Sequence, residues 1–148
     1  MMPSQEAARL IHEALAAAIA GDSDRTAEIV ARLGMDSDAS RMYGVWTAIA
    51  QAGHRALSLM YRDRAPNPLH GDYWTIEQLE PGALDDPVQA TAMRFLVAVC
   101  NNDGDMARAH YQAALHGGPE LFVHATCQLL VDVARLCIAA TDQPAAEG

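Results

Sequence analysis

The side chains with the greatest capacity for chemistry are six histidines and three cysteines. His124 and Cys127 are one helical turn apart, which is the best spacing in the chain for two ligands of a Zn²⁺ ion, and His116 is nearby in sequence. Structural Zn²⁺ takes three or four ligands, and no second cluster occurs at ligand spacing. The alternative is a core cysteine with a histidine at its edge. We therefore predict no metal and no other cofactor, and the part of His124 and Cys127 in metal binding stays open.

Nucleophilic catalysis has little support in the sequence. Cys100 or Cys127 would need a histidine close in space to activate the thiol, and no catalytic signature surrounds either residue. All ten cationic side chains other than histidine are arginine, and lysine is absent. Schiff-base and P-loop chemistry, which depend on lysine, are thereby excluded. We expect a non-enzymatic protein.

A long irregular segment carries the best candidate binding residues. Tyr, Trp and Arg are the usual anchors of binding sites, and long loops within compact domains are often functional. The alternative is that the aromatic side chains of this segment, Tyr73 and Trp74 above all, fill a gap between two halves of the fold. With four residues of the preceding helix and its end, the candidates are Trp46, His54, Tyr61, Arg62, Arg64, His70, Tyr73 and Trp74.

Composition limits the class of protein. The 148 residues carry a net charge of −9, which argues against binding to nucleic acid phosphates. The N-terminal stretch contains Glu6 and Glu13 and lacks a basic leader, and we expect no apolar run of membrane-spanning length. The odd cysteine count indicates reduced thiols. We predict an acidic cytoplasmic protein without a membrane partner.

Apolar residues at helical spacing predict an all-α helical bundle in a single domain, 1–148. Two similar three-helix halves, 4–62 and 86–140, each have a long, a short and a long helix. An irregular linker, 63–85, joins them, with one helical turn at 76–79, and 141–148 is a flexible tail. The predicted helix starts are Ser4, Asp22 or Ser23, Ser37 or Asp38, and Asp86-Pro87. Gly44 and Gly53 lie inside the third helix, where a neighbouring helix approaches closely or a kink occurs.

An acidic turn followed by a short Ala-rich helix occurs in both halves. The turns are Gly21-Asp22 and 101–105, and we expect their acids to cap helices, since neither turn continues into a calcium loop. An offset of 82 pairs the inner residues of the two short helices. The predicted pairs are Ala27 with Ala109, Ala31 with Ala113, and Leu33 with Leu115.

Both copies resemble part of a tetratricopeptide-type hairpin. The residues that match are Gly21, Asp22, Ala27 and Leu33 in the first copy and Gly104, Asp105, Ala109, Ala113 and Leu115 in the second. A tandem array of that family repeats every ~34 residues, and no such period is present. The resemblance implies stacked helical hairpins that bind a protein segment in a groove.

Two functions follow as hypotheses. The preferred one is a protein–protein interaction or adaptor domain, whose partner is another protein or a second copy of the chain in a homodimer. The alternative is a small-molecule-binding protein or enzyme with a pocket between the two halves, near the loop at 61–74.

Overall fold

All regular secondary structure in the computed structural model, which describes residues 3–75 and 86–142, is helical. The prediction of an all-α bundle is confirmed. Within those ranges six α-helices occur: α1 (Ser4–Ile19), α2 (Ser23–Met35), α3 (Ala39–Tyr61), α4 (Pro87–Cys100), α5 (Gly104–His116) and α6 (Pro119–Thr141). Two short 3₁₀ turns, Arg62–Arg64 and Pro68–His70, follow α3. The helical turn predicted at 76–79 and most of the predicted tail lie outside the described residues.

Aspartate side chains begin four of the helices, as the sequence predicts. Asp22 and Asp38 accept hydrogen bonds from the backbone N–H groups of Arg25 and Arg41, at 3.0 and 2.8 Å. Asp86 and Asp103 start α4 and α5 in the same way. These carboxylates satisfy backbone donors that have no partner inside the helix. Ser4 was the wrong cap for α1, because Pro3 holds that position and Ser4 is already helical.

The two acidic turns have the same backbone geometry. The offset in sequence that superimposes them differs from the predicted offset of 82 residues. Gly21 and Asn102 both adopt left-handed conformations, with φ of 76° and 56°. The next residue in each turn, Asp22 or Asp103, donates its N–H to the carbonyl five residues earlier, on Ala17 or Ala98. Of the two hydrogen bonds that define a Schellman cap, this is the one that spans more residues of the chain. Equivalent positions are therefore 81 residues apart rather than 82.

The alanines that were predicted to lie on the inner faces of the two short helices lie on their outer faces. Ala27 and Ala31 in α2, and Ala109 and Ala113 in α5, are exposed, so those four predictions were wrong. Leu33 is buried as predicted, and Leu115 is half-buried. On α2 the larger apolar side chains take the inner face because they remove more area from water, and on α5 Tyr111 does so with a small alanine on either side. The buried residues are Thr26, Ile29, Val30 and Leu33 in α2 and Ala107, Tyr111 and Ala114 in α5.

Helix α6 lies at the centre of the bundle and packs against each of the other five α-helices. Its most extensive contact is with α3, and the two run parallel, since Trp46 meets Thr126 and Gly53 meets Val133. A Cβ on Gly53 would lie 3.0 Å from Val133 Cγ2, which confirms the predicted close approach. Gly44 has no such neighbour within 4 Å. The α1–α2 hairpin packs more on α6 than on α3, so the two halves interleave.

The composition of α6 departs from expectation. By length and composition α6 is apolar enough to cross a membrane, although we expected no run of that kind. The central core helix of a bundle meets the same criteria, and Leu129, Leu130 and Val133 of α6 are fully buried.

Candidate functional site

Trp46 is a core residue. Its side chain is fully buried, and its Nε1–H donates a 2.9 Å hydrogen bond to Thr126 Oγ1 on α6. The indole contacts the rings of Phe95, Tyr111 and Phe122, with centroids 5.0–5.4 Å apart. Buried indoles normally satisfy their N–H in this way. This placement removes Trp46 from any surface that a ligand could reach.

Trp74 is also buried, as the alternative of a side chain that fills a gap in the fold predicts. Its ring packs edge-on against Tyr61, with a centroid distance of 5.1 Å. The side chain of Asn101 holds its backbone from both sides. Asn101 Oδ1 accepts from Trp74 N at 2.6 Å, and Asn101 Nδ2 donates to Trp74 O at 3.0 Å. The sequence carried no signal for Asn101, since the clamp joins positions far apart in the chain.

The other predicted binding residues do not converge on one site. Arg62, Arg64 and His70 are exposed on the loop, and the Arg62 guanidinium turns back to the carbonyl of Leu59. His54 is half-buried on α3. Tyr73 is exposed and faces a cavity. The eight candidates are thus divided between the core, the side of α3, the loop surface and the cavity beside Tyr73.

The cavity beside Tyr73 has a volume of about 360 Å³ and lies between the loop, α4 and α5. It does not lie between the two halves, as the small-molecule hypothesis requires, because its walls come from the second half and the loop. Its lining residues are Tyr73, Arg94, Val97, Ala98, Asn101, Asp103, Met106 and His110. Burial and the nearby Arg94 lower the pKa of His110, while Asp103 acts in the opposite direction.

A larger groove of about 500 Å³ runs between α1, α3 and the end of α6. Most of its lining is apolar: Ala8, Ile11 and Leu15 from α1, Ala48, Ile49, Ala52, Ala56 and Leu59 from α3, and Cys137 and Ala140 from α6. None of the eight predicted binding residues lines this groove, because the three segments that form it are distant in the chain, but it lies between the first half and the second, where the small-molecule hypothesis places a pocket. The sequence indicates only the α3 wall, where Ala48, Ala52 and the buried Ala56 recur every four residues, and it does not indicate which helices form the other walls.

The charge of the groove is opposite in sign to that of the whole chain. The described residues that line it include two basic side chains, His12 and Arg55, and no carboxylate. Arg55 is close enough to Cys137 to favour its thiolate, but burial is the larger effect and raises the pKa of that thiol. In a chain with a net charge of −9, this groove is a local region of non-negative charge.

The thiols are poorly suited to catalysis. Burial raises the pKa of Cys100 to about 12, and it also raises the pKa values of Cys127 and Cys137. A thiol with a raised pKa remains protonated at neutral pH and is a weak nucleophile. The buried carboxylate of Asp132 accepts a 2.9 Å hydrogen bond from Gln128 one turn earlier and lines neither cavity.

Among the described residues, no third metal-binding side chain lies near His124 and Cys127. His124 is exposed and Cys127 is half-buried. Over residues 3–75 and 86–142, no three His, Cys, Asp or Glu side chains are grouped closely enough to hold a metal ion.

Comparison with known proteins identifies no relative. No family model, no curated protein and no solved structure matches this chain. Its function has to be argued from its own residues.

Proposed function

We propose that this chain is a non-enzymatic protein-interaction domain that binds an amphipathic helix of a partner protein. The binding site is the groove between α1, α3 and α6. The observation that carries the proposal is the groove itself: about 500 Å³, open to solvent, mostly apolar, and without a carboxylate among its described lining residues.

The residue types in the groove suit a helical ligand. Ala48 and Ala52 are small, so a backbone can approach α3 closely there, while Leu15 and Leu59 are large enough to pack between the side chains of a docked helix. Amphipathic helices bind such grooves through apolar anchors that recur every three or four residues. Leu59 is 65% exposed in the free chain, and burying a leucine fully stabilises a complex by about 1.5–3 kcal/mol.

The charges in the groove select the kind of helix. Arg55 favours a partner with an acidic side chain beside its apolar stripe, and His12 can donate a hydrogen bond to the same group. An exposed ion pair contributes about 0–1 kcal/mol, so these charges orient the ligand more than they hold it. Apolar burial supplies most of the affinity.

A foreign partner fits the groove better than a second copy. A two-fold dimer places the same surface of each copy against the other. In a dimer whose two-fold axis passes close to Arg55, the guanidinium groups of the two chains would lie near each other, and their like charges would repel. The homodimer hypothesis therefore has weaker support at this surface.

Site-specific photo-cross-linking in the source cell tests the proposal. A photoreactive amino acid replaces Leu59 in the groove or, as a control, Met35 on α2, which is 85% exposed and does not line it. We expect one protein to be captured from position 59 and not from position 35, through a segment with apolar residues at helical spacing and an acidic flank. Equal capture from both positions, or capture of a second copy of the chain, would contradict the proposal.

A further inference from the structure

We propose that the cavity beside Tyr73 is a second binding site, which takes a small monocarboxylate with an apolar body. The site is independent of the groove, shares no lining residue with it, and is formed by other helices.

Three elements build this site. Arg94, Val97 and Ala98 lie on one face of α4, at spacings of three and four residues, and Met106 and His110 are one turn apart on α5. The loop contributes Tyr73. It is fixed there because the Asn101 side chain binds the backbone of the next residue, Trp74, on both its N–H and its carbonyl. The cavity thus has two helical walls and an anchored third wall.

The lining separates charge from apolar surface. Val97, Ala98 and Met106 offer apolar contacts, and the ring of Tyr73 adds an aromatic face. Arg94 forms no ion pair within the part of the chain that the structure describes, so its guanidinium is available for a carboxylate, which it binds with two parallel hydrogen bonds in the best geometry. A volume of about 360 Å³ accommodates a ligand the size of an aromatic acid.

Asp103 limits the ligand to a single negative charge. One of its carboxylate oxygens already accepts from the backbone N–H of Met106 at 3.2 Å and caps α5. A second carboxylate on the ligand would face this fixed negative charge. Dicarboxylates are therefore disfavoured relative to monocarboxylates.

His110 couples binding to pH. Burial is the main cause that lowers the pKa of His110; Arg94 lowers it further and Asp103 raises it. The imidazole is therefore neutral at neutral pH in the free protein, and Tyr73 is the remaining titratable side chain that lines the same cavity. A bound carboxylate favours the protonated ring and raises the pKa of His110. By linkage, affinity for the ligand increases as pH falls through the pKa that His110 has in the complex, because the protonated ring then favours the bound state.

The test uses phenylacetate as the probe and phenylacetamide as its uncharged analogue, with binding followed by NMR chemical shifts. We expect phenylacetate to shift the amides of α4 and α5 around the cavity, and to bind more tightly at about pH 5.5 than at about pH 8. The imidazole signals of His110 should report a raised pKa in the complex. Removing the charged donor with Arg94→Gln should weaken binding roughly tenfold.

The matched control is Arg108→Gln, which removes an exposed arginine of α5 that lies over Tyr43 rather than in the cavity. It should leave the affinity unchanged. Equal binding of phenylacetamide, equal losses in the two arginine variants, or no shift of the cavity amides at millimolar phenylacetate would overturn the proposal. An unchanged pKa of His110 in the complex would do the same.

Discussion

Replacing Gly53 with alanine probes a close contact between α3 and its neighbouring helices. Alanine is about 1 kcal/mol more favourable than glycine inside a helix. At position 53, however, the new methyl group would lie 3.0 Å from Val133 Cγ2 and 3.1 Å from Leu96 Cδ1. Forcing an extra carbon into a packed core costs about 1–3 kcal/mol. The net change is a loss of about 0–2 kcal/mol in the free energy of unfolding.

Gly44 is the matched control, because it lies in the same helix and a Cβ there would meet nothing within 4 Å. Gly44→Ala should raise the free energy of unfolding by up to about 1 kcal/mol. Urea denaturation followed by circular dichroism measures both variants, and an unchanged m-value shows that the comparison is valid. We expect Gly53→Ala to be less stable than Gly44→Ala by about 1–3 kcal/mol. If both substitutions stabilise the chain equally, α3 and α6 are not in close contact at Gly53.

Three further predictions concern the loop, the caps and the core thiol. Asn101→Ala removes both hydrogen bonds to the Trp74 backbone, so it should lower the free energy of unfolding by about 1–3 kcal/mol and shift tryptophan emission to the red; unchanged emission would refute the clamp. Asp22→Ala and Asp103→Ala should each lower the free energy of unfolding by about 1 kcal/mol in urea denaturation, since both side chains cap a helix in the same way. A large difference between the two losses would contradict the equivalence of the two caps. Because the pKa of Cys100 is raised to about 12, this thiol should resist iodoacetamide at about pH 8 in the folded chain and react in urea, as mass spectrometry would show; rapid labelling of the folded chain would show that the thiol is not buried.

The helices and their starts were predictable because the signals are local. Asp38, Asp86 and Asp103 each precede a run of apolar residues at helical spacing, and a carboxylate there binds the free N–H groups of the first turn. The close approach at Gly53 was predictable for a similar reason, since glycine inside a helix is unfavourable unless something requires it. Gly44 has the same sequence signature without a neighbour, so the inference was right at one of the two positions.

The inner faces of α2 and α5 were predicted from the spacing of alanines, which does not indicate which face of a helix is buried. Alanine is small enough to lie on either side of a helix, so pairing Ala27 with Ala109 did not fix the rotation of either helix. Ile29 and Tyr111 did fix it, because burying them is worth more. The turn geometry at Gly21 and Asn102 gives the correct register, but asparagine in a left-handed conformation is less evident in a sequence than glycine.

The candidate site was the least predictable part. Tyr, Trp and Arg in a long loop are typical of a binding site, yet the same residue types fill gaps in a core, and Trp74 does so. The groove has no motif, because its lining comes from 8–15, 48–59 and 137–141, which only the packing of α1 and α3 on α6 brings together. Tertiary contacts of this kind cannot be read from periodicity within one helix.

The affinity of the cross-linked partner segment, made as a synthetic peptide, tests the proposed function most directly. Leu59→Asp removes an apolar contact from the groove and adds a charge that repels an acidic helix, so fluorescence anisotropy should show binding weakened by roughly tenfold or more. Met35→Asp, an equally drastic change at an exposed residue outside the groove, should leave binding unchanged. Equal affinities of the wild-type chain and Leu59→Asp would contradict the groove as the binding site.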